Sequence, residues 1–97
     1  MEKRGSRRIK KRAILKVDNI SSILLDFSRK GIKFSTTKVP LKKGVDILFD
    51  VGIEKFEIKA IICWVKQKVA LSKSYDIGAI IKEAPEGYYQ FVDNLRD

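Results

Sequence analysis

From residue 12 onward the apolar side chains recur mainly at every second position, in six short runs, and this spacing restricts the chain to half-buried strands more tightly than any other feature. Ala13, Leu15 and Val17 open the series. Ile23, Leu25 and Phe27 follow, then Ile32 and Phe34, then Val45, Ile47 and Phe49. Phe56, Ile58, Ala60, Ile62 and Trp64 make the longest run, and Ile77, Ala79 and Ile81 the last. Turn chemistry separates the runs at Asp18-Asn19, at Ser28 to Gly31, along the loop containing Pro40 and Gly44, and near Gly52. In the second run the alternation sends Ile23, Leu25 and Phe27 inward and Ser22, Leu24 and Asp26 outward. Phe27, Phe34, Phe49, Phe56 and Trp64 all fall on the inward register of their strands, so Trp64 reads as core.

Pro85-Glu86 suits the first turn of a helix, where a missing N–H costs nothing and an acid complements the dipole. Tyr88, Phe91, Val92 and Leu95 then repeat at i, i+3, i+4 and i+7, which predicts a helix over 85–96 with one stripe to bury. Six short strands and a terminal helix predict a mainly all-β domain: a six-stranded antiparallel barrel, whose closure removes exposed edges, with the C-terminal α-helix capping an open end. A chain of 97 residues is long enough for one such core and too short for two. The expected division is a flexible basic arm over 1–11 and a single domain over 12–97.

The charge is front-loaded. Of 21 Lys+Arg against 12 Asp+Glu, net +9, seven basic side chains (Lys3, Arg4, Arg7, Arg8, Lys10, Lys11 and Arg12) and one acid, Glu2, lie in the first twelve residues. Such a field attracts a polyanion: nucleic acid, anionic lipid or a phosphodiester. With no histidine and one cysteine, Cys63, the usual zinc ligand sets and an intramolecular disulfide are ruled out. The longest apolar run, Ala60 to Val65, is far too short to cross a bilayer, and no apolar leader follows the basic N-terminus, so the expectation is a cytoplasmic protein without membrane insertion. An enzyme is the least favoured class. There is no histidine base, no glycine-rich phosphate loop and no glycine-flanked nucleophilic serine, and no cofactor is expected. Glu54 and Glu57 read as strand-surface charge, and Cys63 as packing.

Two segments carry binding chemistry. Arg-x-x-x-Arg occurs as Arg4/Arg8 and again as Arg8/Arg12; paired guanidinium forks grip phosphate oxygens and the N7/O6 edge of guanine. Arg4/Arg8 is preferred, because Arg12 lies directly against the first strand. The second segment is Asp26-Phe27-Ser28-Arg29-Lys30-Gly31. Its carboxylate accepts from guanine N1–H and the N2 amino group, its Ser28 hydroxyl donates to a phosphate oxygen, and Gly31 admits close backbone approach. The same residues are also ordinary turn vocabulary, in which Asp and Ser cap local backbone donors.

In these two segments, their order along the chain and the closing Tyr75-Asp76-Ile77-Gly78 strand, the chain resembles the PilZ family of bacterial cyclic di-GMP receptors. The resemblance implies that Arg4 and Arg8 clamp the phosphates and guanines of cyclic di-GMP, with Asp26, Ser28 and Gly31 completing a pocket on the barrel's outer wall and Arg7 adding a phosphate contact. It also implies that Lys3, just before the first arginine, bears on whether one ligand or an intercalated pair is held; a cation there favours the pair. Lys30 departs from the family pattern, standing where a small residue precedes the glycine and adding bulk and charge beside the ligand, and Trp64 is matched in some relatives by a tryptophan near the ligand. The implied output is second-messenger signalling without catalysis: the arm orders over the ligand and a downstream protein partner reads the change. The rival from another class is a small basic barrel holding RNA or DNA through its phosphates, against which the inward register of the aromatics argues.

Overall fold

A computed structural model describes residues 9–51, 54–68 and 73–95, with the backbone alone for 9–12 and 51. Six strands run in chain order: β1 (Ile9–Val17), β2 (Ile20–Phe27), β3 (Gly31–Thr36), β4 (Gly44–Val51), β5 (Glu54–Gln67) and β6 (Tyr75–Glu83). One helix, α1 (Glu86–Leu95), follows them. The strands pair antiparallel around a closed barrel in the order β1-β2-β3-β6-β5-β4. Strand β1 begins at Ile9, ahead of the expected boundary at residue 12, so Ile9, Lys10 and Lys11 belong to the barrel wall and not to an arm.

Asp18 and Asn19 hold φ of 50° and 72°, as a two-residue hairpin turn whose twist matches its strands requires. The Asp18 carboxylate accepts from the Asp46 N–H at 2.9 Å, and Asp18 N–H donates to the Asp46 carbonyl at 2.9 Å, so the hairpin tip is tied to β4. The barrel closes on this side through three pairs only, Leu15, Lys16 and Val17 against Phe49, Leu48 and Ile47.

The interior is filled from every strand: Leu15, Val17, Leu24, Phe27, Ile32, Phe34, Ile47, Phe49, Ile58 and Ile77 are each at most 1% exposed. Side chains of this kind stabilise by about 1.5–3 kcal/mol each when fully buried. Helix α1 packs one side onto the barrel core beside Phe27, Phe49 and Phe56. Tyr88 and Val92 are buried, and Tyr88 meets Phe49 edge-on at 5.6 Å, which itself meets Phe27 edge-on at 5.0 Å. The buried stripe is the expected one, with Phe91 and Leu95 partly covered. Pro85 stands just before the helix rather than in it, its carbonyl accepting the Tyr88 N–H at 3.0 Å.

The alternation fails in two places for one reason. Leu24 and Ser22 face inward while Ile23 is 45% exposed, the reverse of the expected register, yet Phe27 is still fully buried. Between them the β2–β3 ladder steps from Leu24↔Phe34 to Asp26↔Lys33, leaving Leu25 as an extra residue that resets which side faces the core. In β5, Phe56, Ile58 and Ala60 point inward as expected, but the ladder steps from Ile62↔Ala79 to Trp64↔Gly78. Cys63 is the inserted residue. Trp64 is consequently 45% exposed instead of core, and Cys63 is an exposed thiol instead of packing.

Candidate functional site

Directly paired residues on neighbouring strands project from the same face of a sheet. One row of the barrel runs Asp26 opposite Lys33, Lys33 opposite Gly78, and Gly78 opposite Trp64, across β2, β3, β6 and β5. The β1 register sets Lys10 opposite Asp26 at the end of that row. Both irregularities just described immediately precede a member of the row. Without the extra Leu25, Asp26 would share the side of Leu24 and enter the core; without Cys63, Trp64 would follow Ile62 inward.

Gly78 supplies the space in the middle. A Cβ built there would fall inside the Trp64 indole, within 2.6 Å of Cζ2, so the ring lies directly on the β6 backbone. The Lys33 ammonium stands 5.9 Å from the indole centroid, a cation–π arrangement. Two residues along, Gly31 pairs with Ile80, which continues the same outer face. The result is a groove of about 410 Å³ lined by Asp26, Ser28, Lys30, Gly31, Lys33 and Trp64, floored by Gly78 and Ile80 and bordered by Cys63. Asp26 sits deep in it at 8% exposure.

The Ser28 to Gly31 turn is locally closed. Ser28 Oγ accepts from the N–H groups of Lys30 and Gly31, each at 3.2 Å, and Ser28 N–H donates to the Gly31 carbonyl at 2.9 Å. The capping role open to this serine from sequence is therefore filled, while its O–H hydrogen remains available as a donor. The turn is also fastened to α1: Tyr88 Oη donates to the Ser28 carbonyl at 2.7 Å, and Arg29 pairs with Asp93 and lies 5.0 Å from the Tyr89 ring centroid. The hydrogen bond to Asp93 holds the Arg29 guanidinium above its already high protonation range, against an opposing desolvation. Arg29 thus serves the helix and not the groove.

Of the expected site residues, Asp26, Ser28 and Gly31 come together, joined by Lys30 and Trp64. Lys3, Arg4, Arg7 and Arg8 lie outside the described residues, and Arg12 enters only as backbone within β1. Lys33 and Gly78 were not singled out by sequence reasoning. A strand glycine does mark close approach of something to the backbone, and Gly78 was the available signal; nothing distinguishes Lys33 from a solvated strand lysine until the register is known.

A larger hollow of about 820 Å³ lies at the hairpin tip, lined by Asp18, Asp46, Glu57 and Glu83 with only Lys16 and Lys59 in compensation. Its excess of carboxylates repels phosphate, so size does not make it the better candidate. Among the described residues no group of three or more His, Cys, Asp or Glu could hold a metal ion, and no helix is long and apolar enough to cross a membrane. Compared with known proteins, the chain matches no family model, no curated protein and no solved structure.

Proposed function

We propose that the groove holds cyclic di-GMP and that the protein is a PilZ-like receptor for this second messenger in the bacterial cytoplasm. The observation that carries the reading is the row Asp26, Lys33, Gly78, Trp64 beside the Ser28–Gly31 turn. It offers an acceptor for a guanine donor edge, a cation for phosphate and a flat apolar platform for a purine ring within one groove. Base stacking on an aromatic side chain tolerates any base; the carboxylate supplies the preference for guanine, since adenine leaves it facing an unmatched edge. In this reading Arg4 and Arg8, with Arg7 and Lys3, cover the ligand from the N-terminal side and neutralise its phosphates.

The mechanism is a charge-driven ordering of that basic segment. Lys3, Arg4, Arg7 and Arg8 repel one another, a dianion relieves the repulsion, and the altered surface is what a protein partner reads. Isothermal calorimetry with wild type, Arg8→Ala and Asp26→Ala, together with amide exchange of residues 1–12, tests it. Micromolar binding that both substitutions weaken, with new protection over 1–12 on binding, is expected. A folded wild-type chain that gives no heat with cyclic di-GMP at micromolar concentration ends the proposal.

One observation favours a second reading. The aromatic argument against nucleic acid does not hold for Trp64, which is 45% exposed beside Lys33 on a chain of net charge +9. A single-stranded oligonucleotide stacking one base there would compete for the same groove. Titration with an oligonucleotide and with cyclic di-GMP at physiological salt separates the two, because the phosphodiester backbone contribution collapses with salt more steeply than that of a small ligand.

A further inference from the structure

We infer that Lys33 is a positioning residue that exchanges partners on binding: its ammonium leaves the Trp64 indole and takes a ligand phosphate when a planar base occupies that indole. The inference rests on the groove reading above and narrows its ligand class. An indole has two faces, and the inner one is taken up by Gly78, where even a Cβ does not fit. Only the outer face can receive a ring, and Lys33 Nζ stands 5.9 Å from its centroid. Base and ammonium therefore contend for one surface.

The contest has a defined outcome. A cation over an aromatic ring at a half-exposed site is a weaker contact than a stacked base, so a base displaces the lysine. The displaced ammonium is not stranded, because Lys33 lies between Asp26 on one neighbouring strand and Gly78 on the other. Its flexible stem lets the charge swing toward whatever anion the base carries with it. Inorganic phosphate brings no ring to displace the lysine, and a nucleoside brings no anion to receive it. The groove is thereby tuned to ligands that join a purine ring to a phosphate in one molecule.

The chain has a single tryptophan, so its emission reports this site directly. The full chain, Lys33→Met and Lys33→Arg are titrated with cyclic di-GMP, GMP and guanosine, following Trp64 emission and repeating the cyclic di-GMP series at several salt concentrations. Lys33→Met is expected to bind cyclic di-GMP and GMP about tenfold more weakly, the loss of one charge-assisted hydrogen bond, with a flatter salt dependence. Guanosine, which in wild type must displace the ammonium without offering it an anion, binds Lys33→Met at least as tightly as wild type, and Lys33→Arg recovers most of the loss for the phosphorylated ligands. A merely structural lysine would lower all three ligands together, and that result overturns the exchange. So does Lys33→Met binding cyclic di-GMP as tightly as wild type. If wild type ignores cyclic di-GMP altogether, the receptor reading fails by itself, and the exchange is judged on GMP against guanosine, where equal behaviour of Lys33→Met and wild type overturns it.

Discussion

At position 78 a hydrogen stands where any other residue type would place a carbon inside the Trp64 ring. Gly78→Ala must push the indole off β6, and the expected result is a loss of about 1–3 kcal/mol in urea unfolding from overpacking, with a red-shifted Trp64 emission. Ser28→Ala removes the acceptor of two backbone N–H groups and should cost about 1–2 kcal/mol of stability. Asp26→Ala should lower cyclic di-GMP affinity at least about tenfold, measured by calorimetry. The turn vocabulary at Ser28 to Gly31 was visible in the sequence, and the Ser28 cap fills it. Lys33 was not, since an alternating lysine carries no mark of which residues its neighbouring strands will set beside it.

Among the elements, α1 and the Ser28–Gly31 turn form one unit through the Tyr88 hydrogen bond. Tyr88→Phe leaves the buried Ser28 carbonyl without that donor and should cost about 1–3 kcal/mol, read as a lower urea midpoint at constant slope. At the opposite hairpin, the Asp46 hydrogen bond, then its charge, raise the Lys59 ammonium above the ordinary lysine range. A raised folded value means the contribution is complete below the unfolded lysine value and disappears as pH climbs through the folded one. The stability difference between wild type and Lys59→Met should therefore stay constant from about pH 6 to pH 9 and close only above about pH 10.4. Period-two spacing located all six strands, and the i, i+3, i+4, i+7 stripe located the helix with its buried side. The spacing misread Leu24, Ile23, Trp64 and Cys63, because an inserted strand residue such as Leu25 has no composition of its own. Its effect shows only when the partner strand is counted against it.

For the molecule as a whole, the closed strand order makes β3 pair with β6 and β1 with β4, so the ring cannot form from neighbouring hairpins alone. Folding has to wait for contacts distant in sequence, and refolding after dilution from urea, followed by Trp64 emission, should be complete in milliseconds to seconds rather than microseconds. The same closure explains why the groove was only half legible. Asp26 and Lys33 are hairpin neighbours, whereas Trp64 joins them only through β6, from the far side of the chain. The inserted residue of β5 has a practical consequence of its own: it is the protein's single cysteine, exposed at the lip of the groove and adjacent to Trp64. Air oxidation during storage would couple two copies mouth to mouth and cover both grooves. A maleimide dye attached at that atom, in contrast, would block the coupling and place a reporter beside Trp64.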